Sequence, residues 1–355
     1  MAAVILRHAG ANTPRSLAAD MENPALDRFC SVARSLEILS DAWSFLVLRE
    51  LFFGARRFEH FQSALRVPRN TLVLRLKKLV GLGLVKRVPV GGGSARFEYR
   101  FSRKGMELYP TMLALLAYGD RWLLREDVPP LQLYHRACNH PFSPLVVCGQ
   151  CSEPLAISEV DYRDGPGAGA VAREPRTRRS RRASDPRVFE RVRPCSVART
   201  LQIIGDRWSI LLLREMQLGT RRFDEFQQRL GIAPNILTDR LRLMLANGIA
   251  EKRSYQLRPE RFEYRFTAKG RDLYGTILVV MRWGDKWLSA GRAPLLLRHK
   301  VCQQDFSALV VCSHCREEVG PHDVTYSLRY SLAGVDTHGR DESANVTGRE
   351  PAEAL

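Results

Sequence analysis

The sequence lacks the features that define membrane, secreted and common enzyme chains. No apolar run approaches the ~20 residues that a membrane-spanning helix requires. The N-terminal region has only one short apolar stretch, too short for a secretory signal. There is no P-loop, G-x-S-x-G elbow, H-E-x-x-H helix or Rossmann glycine pattern. We therefore expect a cytoplasmic protein that is not an enzyme.

Acidic residues are few relative to basic ones. The chain carries 55 Lys and Arg against 38 Asp and Glu, a net charge of +17, and only eight of the basic residues are Lys. Such a surplus favours a polyanionic partner, because basic side chains neutralise phosphates and release counterions. The alternative is a solvated basic surface. A hydrophobic content of 45% allows genuine cores and excludes global disorder.

The sequence has eight cysteines in 355 residues. Cysteines of cytoplasmic proteins stay reduced. These eight are therefore expected to be metal ligands, sensors or core residues rather than disulfide partners.

An internal repeat dominates the sequence. Cys-Ser-Val-Ala-Arg occurs at 30–34 and again at 195–199, 165 residues later. Arg-Phe-Glu-Tyr-Arg-Phe occurs at 96–101 and, unchanged, at 261–266. A period this long indicates a duplicated domain rather than a solenoid.

Each copy has the pattern of a winged helix-turn-helix. The first copy predicts four helices, a two-stranded ribbon and a last helix, near 31–39, 43–51, 58–65, 69–82, 84–88 with 96–101, and 104–124. The short turn between the third and fourth helices is the specific sign, and a generic bundle would not need the ribbon. The predicted fold class is α+β and mainly helical, with two winged helix-turn-helix domains, each followed by a small Cys-rich β segment.

Composition sets the predicted boundaries. The region between the copies is rich in Arg, Gly, Pro, Ala and Ser and cannot bury enough apolar area to order itself. It is interpreted as a linker that either only connects the copies or also touches phosphates. The segments are a flexible arm at 1–27, winged helix domains at 28–132 and 193–296, Cys/His segments at 133–160 and 297–326, the Arg-rich linker at 161–192 and a disordered tail at 327–355.

The ordered set of motifs in each copy resembles the HxlR family of bacterial transcriptional regulators. The set comprises Cys-Ser-Val-Ala-Arg, Asp-x-Trp-Ser, Leu-Arg-Glu, Gly-x-Arg-Arg-Phe, Phe-Glu-Tyr-Arg-Phe before Lys-Gly, and Gly-Asp-x-Trp. The resemblance implies a DNA-binding winged helix that acts as a homodimer through its terminal helices. It also implies control of nearby genes by a chemical signal, often oxidative or electrophilic. The two copies in one chain and the Cys-bearing segments depart from the family pattern.

In a winged helix the fourth helix enters the major groove. Inward stripes at Leu72, Leu76, Leu79 and at Leu237, Leu241, Leu245 leave polar residues on the outer face. The candidate DNA contacts, including the ribbon tips, are Arg69, Asn70, Val73, Arg75, Lys77, Arg96, Asn235, Thr238, Asp239, Arg240, Arg242, Arg258 and Arg261. Of these, Arg75 and Arg240 occupy matching positions and are expected to reach phosphate. The alternative for each residue is a solvated polar face.

The two candidate reading helices differ in sequence. Val73-Leu74 in one copy corresponds to Thr238-Asp239 in the other. An acidic residue repels phosphate and can accept from cytosine, which predicts an imperfect palindrome with unequal half-sites. We expect the terminal helices, near 104–124 and 269–289, to pair within one chain and form a pseudo-dimer.

A Cys/His pattern follows each winged helix. His-x2-Cys and Cys-x2-Cys lie nine residues apart in both segments, and the predicted metal ligands are His135, Cys138, Cys148 and Cys151 in the first and His299, Cys302, Cys312 and Cys315 in the second. Paired x2 spacings suit tetrahedral zinc, so each segment is expected to form its own zinc-ribbon-like structural site. The alternatives are reduced cysteines in a hairpin core and a redox-active Cys-x-x-Cys pair.

Cys30 and Cys195 open the two copies and stand apart from these segments. In the resembled family a cysteine at this place can be the redox sensor, although a lone cysteine beside a helix is often buried and inert. The overall prediction is a sequence-specific DNA-binding transcriptional regulator whose inducer is a small molecule or an oxidant. The alternatives are a thiol-based redox protein and a zinc-stabilised protein-interaction module.

Overall fold

The computed structural model describes residues 26–90, 96–172, 190, 193–258 and 260–330 of the chain. The predicted arm up to residue 25, the linker at 173–189, 191 and 192, and the tail from residue 331 lie outside the described residues. No helix of the described part is both long enough and apolar enough to cross a membrane.

The first winged helix contains the elements that the sequence predicts. In chain order they are β1 (Leu26–Arg28), α1 (Ser31–Leu39), α2 (Ala42–Phe52), α3 (Phe58–Leu65), α4 (Arg69–Gly81), β2 (Val85–Pro89), β3 (Phe97–Phe101), α5 (Arg103–Met106) and α6 (Tyr109–Trp122). Strands β2 and β3 pair in antiparallel fashion and form the wing.

The Cys/His segment of the first copy leads into strands that continue past the predicted linker boundary. These elements are β4 (Leu131–His135), β5 (His140–Phe142), β6 (Pro144–Cys148), β7 (Val160–Asp164) and β8 (Ala170–Ala172). Strand β8 pairs with β1. The predicted linker start at 161 and arm end at 27 are therefore wrong, because backbone pairing orders both stretches.

The second copy repeats the plan. Its elements are α7 (Ser196–Ile204), α8 (Arg207–Gln217), α9 (Phe223–Leu230), α10 (Pro234–Ala246), β9 (Ala250–Leu257), β10 (Glu260–Phe266), α11 (Ala268–Leu288), β11 (Leu295–His299), β12 (Gln304–Asp305), β13 (Ala308–Cys312) and β14 (Val324–Leu328). Strand β14 extends to Leu328, past residue 327, where the tail was predicted to begin.

Local chemistry explains the helix boundaries. Asp41 and Asp206 cap α2 and α8 by accepting from backbone amides of the first turn. The turn between the third and fourth helices takes a left-handed residue, Arg66 with φ 47° in one copy and Gly231 with φ 53° in the other. Glycine adopts this conformation without strain. Arg66 therefore carries backbone strain in the first copy, whereas Gly231 in the second copy does not.

The terminal helix is broken in the first copy and continuous in the second. Pro110 lies in the first turn of α6, and the corresponding position in α11 is Gly275. Proline lacks the backbone donor and clashes with the carbonyl four residues earlier. The predicted single helix at 104–124 is therefore two helices, α5 and α6.

The two copies pack through exchanged helix contacts. Helix α6 packs on α7, α11 packs on α1, and α6 and α11 pack on each other. Gly119 and Gly284 of the Gly-Asp-x-Trp motifs allow this approach. An added Cβ on Gly119 would lie 2.2 Å from the Ser196 carbonyl oxygen, and one on Gly284 would lie 2.6 Å from that of Ser31.

The strands after the winged helices are shared between the copies. Strand β6 pairs with β13, β7 pairs with β11, and β14 pairs with β4, all antiparallel. Each Cys/His segment therefore completes its sheet with a strand of the other copy. The β6–β13 ribbon lies on α6 and α11. A Cβ added to Gly275 of α11 would lie 3.2 Å from Val146 Cβ, and Arg282 donates to the Ala308 carbonyl.

Candidate nucleic-acid interface and Cys/His clusters

Helix α4 presents a polar outer face opposite its buried stripe. Leu72, Leu76 and Leu79 are buried, as predicted. Arg69, Asn70 and Lys77 are exposed, whereas Val73 is half-buried. The Arg69 guanidinium lies 4.9 Å from the centre of the Phe58 ring, which orients it at the N-terminal end of the helix.

Helix α10 presents a different outer face. Its buried residues are Leu237, Leu241 and Met244, so the expectation that Leu245 belongs to this stripe is wrong. In the alignment of the two copies, Met244 and not Leu245 corresponds to the buried Leu79. Of the candidate contacts, Asn235, Asp239 and Arg242 are exposed and Thr238 is half-buried. Asp239 and Arg242 form an exposed ion pair at 3.8 Å, and Thr238 Oγ1 donates to the Pro234 carbonyl.

Arg75 and Arg240 do not extend toward solvent as expected for phosphate contacts. Arg75 Nη1 lies 2.9 Å from Asp41 Oδ2, and Arg240 Nε donates to Asp206 Oδ1 at 2.9 Å. Burial raises the pKa of Asp41, but Lys78 and Arg75 beside it hold that pKa below its usual value. The matched arginines instead tie each reading helix to the capping residue of the preceding helix.

The wings carry the remaining candidates. Arg96, Arg258 and Arg261 are exposed on the ribbons. Glu98 lies 3.3 Å from Arg100, and Glu263 Oε1 accepts from Arg265 at 2.7 Å, which confirms the interpretation of these two glutamates as structural salt-bridge partners.

The predicted DNA contacts omit several surface residues beside these candidates. Leu74, which the sequence singled out only as a difference between the two candidate reading helices, is 65% exposed on α4 between the polar positions. Lys86, Arg87 and Lys252 are exposed on the wing strands. Their signal is a run of basic residues along the strands, whereas the prediction named only residues near the tips.

The eight predicted metal ligands form two clusters, but each cluster combines both copies. The crossed clusters are His135, Cys138, Cys312 and Cys315, and Cys148, Cys151, His299 and Cys302; the ligand atoms of each lie within 4.8 Å of one another. The expectation of one site per segment is therefore wrong in its grouping. Each cluster takes the His-x2-Cys of one copy and the Cys-x2-Cys of the other.

The distances within the crossed clusters are alike. His135 Nδ1 lies 3.2 Å from Cys315 Sγ, and Cys138 Sγ lies 3.9 Å from Cys312 Sγ. In the second cluster Cys151 Sγ lies 3.4 Å from His299 Nδ1, and Cys148 Sγ lies 4.0 Å from Cys302 Sγ. A zinc ion with Zn–S distances of about 2.3 Å would place sulfur ligands about 3.8 Å apart. The donor set of three thiols and one imidazole fits such an ion.

Backbone amides support the buried thiols. Gln150 N donates to Cys148 Sγ at 3.4 Å, and His314 N donates to Cys312 Sγ at 3.3 Å. Burial raises the pKa of Cys312, but the amides of Cys315 and His314 bring it below its ordinary value. At Cys312 the amide contacts favour the thiolate that metal binding needs.

Two further histidines lie beside the first cluster. The rings of His140 and His314 stack with centroids 3.7 Å apart, and both are exposed. Their ligand atoms lie near Cys138, which already belongs to a crossed cluster.

Cys30 and Cys195 lie at the first-helix starts, away from the crossed clusters. Both are half-buried, and Cys30 Sγ accepts from Ala33 N at 3.5 Å. The Arg214 guanidinium of the other copy also contacts Cys30: burial lowers the pKa of Arg214, whereas Cys30 and Glu215 raise it.

Two helix-turn-helix units with β-ribbon wings, joined through their terminal helices, define a tandem winged helix-turn-helix protein. The profile of the HxlR-like helix-turn-helix family matches residues 38–127 and 203–292, which cover half of the chain. The chain belongs to the HxlR-like helix-turn-helix family, as its motifs predicted, and is a DNA-binding transcriptional regulator.

Two sequence relatives support this assignment. An uncharacterized HTH-type transcriptional regulator of Mycobacterium tuberculosis is 41% identical over 39% of this chain and 87% of its own length. One of Synechocystis is 33% identical over 32% of this chain and 84% of its own length. The solved structure of PA1607, a candidate transcription factor, is 36% identical, covers 36% of this chain and 89% of that chain, and has a TM-score of 0.33.

Proposed function

We propose that one chain binds one operator as a pseudo-dimer, with α4 and α10 in successive major grooves. The observation that carries this proposal is the exchange of terminal-helix contacts, in which α6 and α11 each pack on the first helix of the other copy. This arrangement gives the chain both halves of a dimeric reader. A net charge of +17 supplies the attraction to phosphate.

The direct readers in this proposal are the exposed polar residues near the start of each reading helix. Asn70 and Asn235 occupy matching positions and can pair with adenine, and Arg69 can pair with guanine. Lys77, Arg242 and the wing residues Arg96, Arg258 and Arg261 supply phosphate contacts. Val73 and Thr238 lie at the edge of the reading face.

The half-sites are proposed to be unequal. Leu74 offers an apolar contact to a thymine methyl, whereas Asp239 at the matching position repels phosphate and can accept from cytosine N4. Asp239 also holds Arg242 in an ion pair, which reduces the positive charge that the second half-site meets.

We propose further that each crossed cluster holds one structural Zn²⁺. Four protein ligands fill a tetrahedral site and leave no position for a catalytic water. The ions would therefore stabilise the shared strands rather than supply chemistry. The three sulfur donors and one nitrogen donor support zinc, since hard cations such as Mg²⁺ do not favour such ligands.

A chemical signal is proposed to act at Cys30. This thiol lies at the start of α1 and contacts Arg214 of the other copy, so modification of its sulfur would disturb a contact between the copies. In Cys30→Ser, DNA binding should persist and its response to an oxidant should be lost. An unchanged response would remove Cys30 as the sensor.

Selection of binding sites from random duplexes tests the DNA proposal. The full chain should recover a two-part site, and the Asn70→Ala variant should lose base preference in one half, by about 1–3 kcal/mol. Asn235→Ala should lose preference only in the other half. Recovery of no shared sequence, or unchanged preference in both variants, would contradict sequence reading by α4 and α10.

A further inference from the structure

The strand register explains why the ligands of one segment cannot meet. Cys148 lies opposite Ala308 and Pro144 lies opposite Cys312 in the β6–β13 ribbon. The two Cys-x2-Cys pairs therefore begin at opposite ends of the ribbon, four steps or about 13 Å apart. His135 and Cys138 precede β5, so they reach the Pro144 end, where Cys312 lies. Strand β6 itself separates Cys138 from Cys148.

The backbone at all four x2 turns has the same unusual conformation. Among the described residues, six non-glycine residues have positive φ, and four of them directly follow the last ligand of an x2 turn: Asn139, Ser152, Gln303 and Arg316. A left-handed conformation is unfavourable for a non-glycine residue, because its Cβ crowds the backbone. Four such residues at equivalent places point to a shared ligand, because a metal ion held by the preceding side chain would offset that cost at each turn.

The β6–β13 ribbon connects the two crossed Cys/His clusters to α6 and α11, the helices that join the copies. It packs on α6 and α11, and Arg282 of α11 donates to the Ala308 carbonyl at 3.3 Å. Strands β7 and β14 also cross to the other copy. Loss of the clusters would therefore loosen the β6–β13 ribbon. The ribbon packs on α6 and α11, and this helix pair sets the separation of α4 and α10.

We infer that the two crossed clusters are metal clamps between the copies, and that Zn²⁺ occupancy fixes the separation of the reading helices and so controls operator affinity. The DNA part of this inference rests on the proposed function. The clamp part rests on the Zn²⁺ sites proposed above and is independent of DNA reading, since it concerns only which ligands share an ion.

Paired serine variants of the full chain separate the crossed grouping from a grouping within segments. Cys138→Ser with Cys315→Ser removes two ligands of one crossed cluster, whereas Cys138→Ser with Cys151→Ser removes one ligand from each. Elemental analysis after purification with Zn²⁺ should give two ions per unmutated chain, one for the first variant and none for the second. One ion for the second variant and none for the first, or no ion in the unmutated chain, would overturn the clamps.

A measurement on the unmutated chain covers the case in which the variants fail to fold. During titration of the metal-free chain with Zn²⁺, thiol alkylation followed by mass spectrometry reports which cysteines become protected together. Cys138, Cys312 and Cys315 should be protected as one group, and Cys148, Cys151 and Cys302 as the other. Joint protection of Cys138, Cys148 and Cys151 would contradict the crossed grouping.

The dependence of DNA affinity on Zn²⁺ occupancy is measured on the same preparations. Removal of Zn²⁺ by a chelator should weaken binding to the selected duplex at least tenfold, and added Zn²⁺ should restore it. Unchanged affinity in the metal-free chain would overturn the control of DNA binding while leaving the clamps in place. If the Zn²⁺-loaded chain binds no selected duplex, the proposed function fails and the metal result still stands.

Discussion

Trp122 Nε1 donates a hydrogen bond of 2.6 Å to Asp272 Oδ2, 150 residues further along the chain. The repeat supplies its counterpart, in which Trp287 Nε1 donates to Glu107 Oε2 at 2.9 Å. Each tryptophan closes a Gly-Asp-x-Trp motif and binds the terminal helix region of the other copy. These motifs therefore join the two copies within one chain.

The close approach at Gly119 predicts a strong effect of a single methyl group. Gly119→Ala should lower the free energy of unfolding by about 1–3 kcal/mol, because the added Cβ meets the Ser196 carbonyl oxygen at 2.2 Å. Gly81→Ala is the matched control, since nothing lies within 4 Å of its added Cβ, and it should be neutral or stabilising. Denaturant unfolding measures both. Equal changes in the free energy of unfolding for the two variants would contradict the close packing of α6 on α7.

Burial of Asp120 between the copies predicts a pH dependence. Burial raises its pKa to about 6, against the lowering effects of Ser196 and Arg199. Because this value exceeds the ~3.9 of an unfolded aspartate, the folded state binds more protons between those values, and the contribution of Asp120 to stability falls as pH rises from about 4 to 6.

The Asp120→Asn variant should therefore gain thermal stability over the unmutated chain as pH rises through that window, with a constant difference above it. The introduced amide keeps an acceptor for the Ser196 hydroxyl, which in the unmutated chain donates to Asp120 Oδ1 at 2.5 Å. Asp127→Asn, at an exposed position, is the control. A difference between Asp120→Asn and the unmutated chain that stays constant from pH 4 to 8 would refute the shift.

The Arg75–Asp41 ion pair predicts that Arg75 matters for stability more than for phosphate binding. Arg75→Ala should lower the free energy of unfolding by about 1–2 kcal/mol, because it leaves a buried carboxylate with one partner fewer. The slope of the logarithm of the DNA-binding constant against the logarithm of salt concentration should stay unchanged. Lys77→Ala, on the exposed face, should reduce that slope by about 0.9 without loss of stability. The reverse pattern would restore Arg75 as a phosphate contact.

Exposure of Leu74 predicts a DNA-binding role for an apolar residue. Leu74→Ala should weaken binding to the selected duplex with a stability change within about 0.5 kcal/mol, as for other exposed substitutions. Val128→Ala, also exposed but between α6 and β4, should leave binding unchanged. Equal affinity of both variants would exclude Leu74 from the interface.

The winged helices were predictable because their signals are local. The stripe of Leu72, Leu76 and Leu79 and the cap at Asp41 lie within one or two turns of the elements they define. The family assignment from ordered motifs is confirmed by the profile match. Helix continuity was harder to predict, because the break at Pro110 depends on one residue in an otherwise apolar helical pattern.

The grouping of the metal ligands could not be predicted from local spacing. His-x2-Cys and Cys-x2-Cys have the same spacing in both copies, so a sequence cannot tell which pairs share a site. The answer depends on the register of β6 against β13, which is a contact between residues far apart in the chain (Cys148 and Ala308, for example). The same long-range pairing orders β7, whose residues resemble the linker in composition.

In the proposed pseudo-dimer, one chain supplies both halves of the DNA reader. Native mass spectrometry of the full chain bound to its selected duplex, at micromolar concentration, tests it most directly. We expect one 40.3 kDa chain per duplex carrying two half-sites. A complex of two chains on that duplex, with each chain needed for one half-site, would contradict it.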